Sequence, residues 1–220
     1  MEKKVIHAAL LGFGTVGTGV YKVLKNQEEE MEAKLGSVVR IKKIMVRNLE
    51  KAAAKVEDPS VLTNNWEEIV NDPDIDIIIE LMGGIEPART CILEALEAGK
   101  HVVSANKDLI AVYGKELLDT AETHQVDFLF EAAVAGGIPI IRPLKQCLAG
   151  NHMKEVMGIV NGTTNFILTK MTQDKMEFKE ALALATELGY AEADPTADIE
   201  GLDAGRKVAI LASVAFNYRV

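Results

Sequence analysis

The sequence lacks the features that mark several large classes of protein. Its 220 residues include only two cysteines, Cys91 and Cys147, and neither belongs to a CxxC pair, so we expect no disulfide framework and no zinc site. No apolar run is long enough to span a bilayer, and no cluster of Lys and Arg forms the basic patch that nucleic-acid binding requires. Both cysteines are expected to be buried, reduced thiols.

Aromatic residues are also scarce, at 5%, although hydrophobic residues make up 48% of the chain and are mainly Val, Ile, Leu and Ala. Such a composition is typical of α/β layers, in which parallel strands are buried on both faces. The net charge is −9, and the acidic run 28–32 is expected to be a solvated helix face. Because no signal peptide opens the sequence, we predict a cytoplasmic protein.

Strand and helix patterns alternate through the first 133 residues. This alternation predicts an α/β fold with a Rossmann-type, doubly wound parallel sheet. The predicted strands are Val5–Leu11, Val38–Val46, Asp74–Leu81, His101–Ser104 and Val126–Phe130, and the predicted helices are Thr15–Leu35, Lys51–Lys55, Trp66–Val70, Pro87–Ala98 and Asp108–His124.

The pattern changes after Ala132, where a Gly- and Pro-rich stretch predicts a hinge into a second unit, residues 134–220. We expect this unit to be part of an α+β catalytic and dimerisation domain. Its predicted elements are a strand, Val156–Val160, and helices at Asn165–Gln173, Glu177–Leu188 and Leu202–Phe216. Because one strand and about three helices make a thin core, we expect the sequence to be part of a longer protein.

A GxGxxG sequence follows the first strand and opens the first helix. In a dinucleotide site Gly12 allows the tight turn, Gly14 leaves room for the pyrophosphate and Gly17 lets helix and strand pack closely. The helix N-terminus then binds the phosphates through its N–H groups. The alternative is a glycine-rich packing turn with no ligand.

The end of the second predicted strand bears on the choice of cofactor. NAD enzymes usually place an acidic residue there for the ribose 2′-hydroxyl, whereas this strand is followed by Arg47, with Lys51 nearby. A cation suits a 2′-phosphate, so the sequence favours NADP. Because Glu50 lies close by, NAD remains an alternative cofactor, and Arg47 could equally be an ordinary solvated arginine.

Two further charged residues follow predicted strands, where ligands of such folds bind. Lys107 stands at a helix start, which is an unfavourable position for a cation beside the positive end of the helix dipole. We therefore expect it to face the nicotinamide crevice, although a solvated lysine is the alternative. Glu131 precedes a Gly-rich turn, and a carboxylate with turning carbonyls is how oxygen-ligated cation sites are built.

The densest group of charged residues lies between positions 189 and 207, where several acids precede a lysine. A site that holds a small ammonium-bearing substrate and delivers a proton needs this combination. Asp203 and Lys207 are four residues apart, so a plain ion pair on one helix face is the alternative. The polar loop 161–165 either caps a helix or contacts substrate or cofactor.

These residues together resemble the homoserine dehydrogenases, and the resemblance covers essentially the whole chain. The motifs that carry it are GFGTVG (12–17), ELMGG (80–84), SANK (104–107), EAAVAGGIPII (131–141), NGTTNFIL (161–168) and GYAEADPTADIEGLDAGRK (189–207). The resemblance implies NAD(P)H-dependent reduction of L-aspartate 4-semialdehyde to L-homoserine, in threonine, methionine and isoleucine biosynthesis. It also implies a homodimer in the full-length form.

The resemblance assigns roles to individual residues. Lys207 is implied as the proton donor, assisted by Lys107, and the implied substrate-binding acids are Glu192, Asp198 and Asp203. The implied cofactor contacts are Gly12, Phe13, Gly14, Thr15, Val16, Gly17, Arg47, Lys107 and Gly189, and the implied ligands of a monovalent cation, usually sodium, are Glu131, Val134, Gly136 and Ile138.

Two other functions remain open. The chain could belong to another NADP-dependent reductase of an amino-acid semialdehyde or imine, which substrate selectivity would distinguish. It could also be a nucleotide-binding module that binds NADPH without turnover.

Overall fold

The computed structural model of the protein describes residues 5–191 and 194–218. The chain divides into two units, Met1–Ala133 and Val134–Val220.

Six parallel strands form the sheet of the first unit, in the order β3-β2-β1-β4-β5-β6. This is the strand order of doubly wound dinucleotide-binding folds, so the predicted fold class is confirmed. The central strand β1 is aliphatic because both of its faces are covered, and its residues 8–11 have no exposed surface. The strands are β1 (Val5–Leu11), β2 (Val38–Met45), β3 (Leu62–Thr63), β4 (Ile77–Glu80), β5 (His101–Ser104) and β6 (Phe128–Leu129).

Helices connect these strands, and most begin and end within a few residues of the predicted limits. The prediction of one helix over Thr15–Leu35 is wrong, because the chain breaks at Gln27 (φ −115°, ψ 21°) into two helices. Val20 and Tyr21 pack on the core, whereas the Glu-rich second helix buries no residue and is instead paired with β2, where Arg40 donates to Glu28 Oε1 at 2.8 Å. The helices are α1 (Thr15–Asn26), α2 (Glu28–Leu35), α3 (Leu49–Ala53), α4 (Glu67–Val70), α5 (Ala88–Glu97) and α6 (Lys107–Thr123), with 3₁₀ turns at Pro59–Val61 and Glu131–Ala133.

The described part of the second unit is helical. It contains a π-helical turn at Pro143–Cys147 and the helices α7 (Gly162–Gln173), α8 (Phe178–Glu187), α9 (Thr196–Ile199) and α10 (Leu202–Phe216). Ile167, Ala181 and Ala185 form the centre of its small core, beside which the rings of Phe166 and Tyr190 stack at 4.5 Å.

The predicted strand Val156–Val160 is wrong for the described residues, which form no strand there. A strand needs a neighbouring strand to satisfy its backbone hydrogen bonds, and the described part of this unit offers none. The apolar side chains that suggested the strand are correspondingly open to solvent, with Met157 83% and Ile159 79% exposed.

The cysteine prediction is only half confirmed. Cys91 lies inside α5 in the core, and burial raises the pKa of its thiol to about 11. Cys147 is exposed, because it stands at the end of the π-helical turn in a stretch that leaves the core. Among the described residues, no helix is both long enough and apolar enough to cross a membrane.

Candidate active site

The glycine-rich loop after β1 is shaped by two close backbone contacts. Gly12 has φ +99°, and a Cβ there would lie 2.8 Å from the carbonyl oxygen of Leu81. A Cβ at Gly17 would lie 2.3 Å from the carbonyl oxygen of Gly12, far inside van der Waals contact. Only glycine therefore fits at these two positions, and the loop is held tightly between β1, α1 and the end of β4.

Gly14 differs from its neighbours because it faces open space. A Cβ built there would meet nothing within 4 Å. Gly14 is also the N-cap residue of α1, and no side chain caps this helix end. An uncapped helix N-terminus beside an open glycine suits a phosphate group, so the loop fits the pyrophosphate of a dinucleotide.

The other loop residues divide between core and surface. Phe13 is buried against the core, with its ring edge-on to Tyr21, so only its backbone is placed for a ligand. Thr15 and Val16 are exposed on the first turn of α1. Arg47 is exposed two residues after the end of β2, and Asn48 then caps α3 by accepting from the Lys51 N–H at 2.8 Å.

The turn after β5 leads into α6 and places Lys107 at its first position. Asn106 is the N-cap, and its Oδ1 accepts from the Leu109 N–H at 3.2 Å. Lys107 is half-buried at this helix start, on the carboxyl side of the sheet. This edge also carries Glu80, a buried carboxylate that the sequence analysis did not assign.

In the second unit, Asp203 and Lys207 form a close ion pair on α10. The Nζ of Lys207 donates to Asp203 Oδ2 at 2.6 Å and to the Val160 carbonyl oxygen at 2.7 Å. The side chains are only 19% and 9% exposed, for Lys207 and Asp203 respectively. A pair that is this buried and that also contacts a main-chain carbonyl is more than a surface i,i+4 pair.

Asn161 joins this pair to a second acid and was not singled out as a site residue by the sequence analysis. Its Nδ2 donates to Asp203 Oδ2 and to Asp198 Oδ1, each at 2.8 Å. Its Oδ1 accepts from the N–H and the hydroxyl of Thr164, each at 2.8 Å. Asn161 therefore caps α7, which confirms the capping interpretation of the polar loop, and it also brings two carboxylates together. Contact of the loop with substrate or cofactor remains a prediction.

Two other residues expected at the site belong to the segment before α9. Glu192 lies outside the described residues. Gly189 follows α8 in a left-handed conformation (φ +79°), and within the described part of the chain no neighbouring atom lies within 4 Å of a Cβ position there. Glycine is therefore favoured at this position by the positive φ angle, and not by a lack of space for a side chain.

The residues assigned to a monovalent cation belong to both units. Glu131 opens the 3₁₀ turn at the end of the first unit. In the second unit Val134 is buried and Ile138 is exposed, and Gly136 is left-handed (φ +57°). Among the described residues no group of three or more His, Cys, Asp or Glu could hold a metal ion, but a site built from carbonyl oxygens needs no such group, so the cation remains a prediction.

A doubly wound sheet with this loop defines a dinucleotide-binding protein, and the buried acid–amide–lysine cluster adds groups for acid–base chemistry. Comparison with known proteins identifies the family. Residues 12–131 match the family model "Homoserine dehydrogenase, NAD binding domain", and residues 139–220 match the model "Homoserine dehydrogenase". The chain therefore belongs to the homoserine dehydrogenase family.

Individual relatives agree with this assignment. The chain is 49% identical to the homoserine dehydrogenase of Bacillus subtilis over 99% of its own length and 50% of that protein. The crystal structure of a homoserine dehydrogenase from Thiobacillus denitrificans superposes with a TM-score of 0.93 at 49% identity, over 98% of this chain and 50% of that one. A hyperthermophilic archaeal homoserine dehydrogenase in complex with NADPH superposes with a TM-score of 0.84 at 28% identity, over 98% and 71% of the two chains. The chain spans about half the length of the curated relatives it matches.

Proposed function

We propose that this chain is the nucleotide-binding and first catalytic part of an enzyme that reduces L-aspartate 4-semialdehyde to L-homoserine with NADPH. The observation that carries the proposal is the cluster in the second unit, in which a lysine ammonium lies 2.6 Å from a buried carboxylate. The family membership and the open glycine-rich loop support it.

The chemistry assigns separate tasks to the acids and the lysine. Asp198 and Asp203, which Asn161 brings together, hold the α-ammonium group of the substrate, with Glu192 as a further acid by resemblance. Lys207 donates a proton to the aldehyde oxygen as it becomes an alkoxide, and the resulting amine is afterwards reprotonated from solvent. Bound NADPH supplies the hydride that the aldehyde carbon accepts.

The contacts of Lys207 suit a proton donor. An ammonium has three N–H donors, and two of those of Lys207 are directed at Asp203 and at the Val160 carbonyl oxygen. These two bonds fix the direction of the third. A positioned acid of this kind typically contributes about 10²- to 10⁴-fold to a rate. Lys107 is proposed to add positive charge beside the developing alkoxide.

The remaining parts of the proposal rest on family resemblance. They are a homodimer in the full-length form, a cytoplasmic location, and a monovalent cation, sodium, bound by Glu131, Val134, Gly136 and Ile138. Gly12, Phe13, Thr15, Val16 and Gly189 are proposed to contact the cofactor.

A nucleotide-binding module without turnover is the second candidate, because the open glycine-rich loop by itself accounts for nucleotide binding. Purified chain mixed with NADPH and L-aspartate 4-semialdehyde decides between the two. We expect the NADPH absorbance to fall only when the semialdehyde is present, with one homoserine formed for each NADPH consumed. NADPH binding without oxidation would instead support the binding module, and oxidation with other semialdehydes at equal kcat/KM would support a less selective reductase.

Arg47 provides a test of the coenzyme assignment. We expect Arg47→Ala to weaken NADPH binding by about tenfold to hundredfold, since a hydrogen bond to a charged group contributes about 1.5–3 kcal/mol. NADH binding should stay within about twofold, because NADH has no 2′-phosphate to contact the arginine. Titration of nicotinamide fluorescence measures both affinities. Lys34→Ala, at an exposed lysine of α2, is the matched control, and equal losses for the two coenzymes would contradict the role of Arg47.

A further inference from the structure

Glu80 is a fully buried acid at the carboxyl end of β4, a central strand of the sheet, and it has no exposed surface. Among the described residues no Lys, Arg or His forms an ion pair with it. Taking a carboxylate out of water is costly unless hydrogen bonds replace the lost hydration. An aliphatic residue would fill the end of β4 without that cost. The role of Glu80 is therefore to be found in the hydrogen bonds that its carboxylate accepts.

The two carboxylate oxygens hold two different segments. Oε1 accepts from the backbone N–H of Met82 at 2.7 Å and from that of Gly83 at 3.3 Å. Oε2 accepts from the hydroxyl of Ser104 at 2.7 Å. One acid thus fixes the turn after β4 and, through Ser104, the end of β5.

A second set of hydrogen bonds closes these contacts into a ring. The Asn106 N–H donates to Ser104 Oγ at 3.1 Å, and Asn106 Nδ2 donates to the Gly84 carbonyl oxygen at 2.6 Å. The turn after β4 and the turn after β5 are therefore tied to each other as well as to Glu80. Asn106 also caps α6, so the ring determines where Lys107 begins that helix.

The turn after β4 has an open face towards the ligand edge of the sheet. Gly83 and Gly84 are both left-handed (φ +73° and +74°), and a Cβ at either would meet nothing within 4 Å. Leu81, two residues before Gly83, lies against Gly12 of the glycine-rich loop. β1 and β4 are adjacent in the strand order at the point where it reverses, and this is where such folds bind their ligands.

We propose that Glu80 is a positioning residue for the nicotinamide half of the dinucleotide. Glu80 does not touch the cofactor. Its carboxylate holds the Met82–Gly84 turn directly and the start of α6 through Ser104. Both segments lie at the edge of the sheet where the nicotinamide half binds. The assignment rests on the proposed function, because it takes the ligand to be a nicotinamide dinucleotide.

Glu80→Gln tests the proposal because it keeps the size of the side chain. The amide has only one acceptor oxygen, so the N–H groups of the turn and the Ser104 hydroxyl can no longer both be satisfied. We expect NADPH to bind about tenfold more weakly, the effect of losing one charge-assisted hydrogen bond. Adenosine 2′,5′-bisphosphate, which lacks the nicotinamide half, should bind as it does to the wild type.

Two further variants keep the test decisive. Ser104→Ala breaks the same ring more mildly, should Glu80→Gln fail to fold, and is expected to weaken NADPH but not adenosine 2′,5′-bisphosphate. Thr63→Val changes a comparably buried polar residue of the same sheet that lies outside the ring, so both ligands should bind normally.

Each outcome decides one question. Selective weakening of NADPH supports the positioning role, whereas equal weakening of both ligands, or of neither, overturns it. Wild-type protein that binds neither ligand would overturn the proposed nucleotide function itself, and the role of Glu80 with it.

Discussion

Replacing Lys207 with methionine is expected to lower kcat for L-aspartate 4-semialdehyde by about 10²- to 10⁴-fold, as the loss of a positioned proton donor does. Methionine keeps an unbranched side chain but removes the ammonium that bonds to Asp203 and to the Val160 carbonyl. NADPH binding should be unchanged, because Lys207 is proposed to contact the substrate and not the cofactor. Steady-state kinetics beside NADPH titration measures both quantities.

The matched control for this variant is Lys170→Met. Lys170 forms an i,i+4 ion pair with Asp174 at 2.8 Å on α7, but that pair is largely exposed, with side chains 33% and 46% accessible. Exposed pairs contribute about 0–1 kcal/mol, so kcat should stay within about twofold. If Lys207→Met raised KM and left kcat intact, Lys207 would be a substrate-binding residue and its role as proton donor would be wrong.

Alanine at Gly14 and at Gly17 should abolish or weaken NADPH binding for different physical reasons. At Gly14 the methyl group has space in the protein itself, so stability is kept while the pyrophosphate is displaced from the helix N-terminus. Loss of one or two charge-assisted hydrogen bonds corresponds to roughly a tenfold to hundredfold weaker affinity. At Gly17 the methyl group would overlap the Gly12 carbonyl oxygen at 2.3 Å, and backbone cannot move aside as a side chain can.

Thermal unfolding separates the two glycine variants. Overpacking of this kind costs about 1–3 kcal/mol or more, so we expect Gly17→Ala to lower the Tm by roughly 10 °C and Gly14→Ala to leave it unchanged. Gly19→Ala is the control, since it lies on the same helix with nothing within 4 Å of a Cβ. A large drop in Tm for Gly14→Ala would mean that the loop is built for packing and not for a phosphate.

The sequence predicted the first unit well because its elements depend on local patterns. Aliphatic runs such as Val5–Leu11 and His101–Ser104 form strands at the predicted residues. The glycine spacing likewise identified Gly12 and Gly17 as positions of close approach. Such features are set by neighbours a few residues away, which periodicity and motif spacing can detect.

Long-range hydrogen bonds could not be predicted in this way. Asn161 bonds to Asp198 across 37 residues, and Ser104 bonds to Glu80 across 24. No periodicity connects such positions. The one available signal was that Glu80 ends a strongly apolar strand, where an acid is out of place unless it is hydrogen-bonded. The wrong strand at Val156–Val160 has the same origin, because a pattern cannot show whether a partner strand is present.

The double use of Asn161 links the helical start of α7 to the geometry of the acids. The amide proton of Thr164 bonds to the same side chain that spaces Asp198 and Asp203. Its NMR chemical shift and its exchange with deuterium therefore report on the carboxylates, although Thr164 bonds to neither of them. If the loop were redesigned for a different substrate, a single residue at position 161 would have to preserve both the helix cap and the spacing of the carboxylates. We therefore expect Asn161 to tolerate few substitutions.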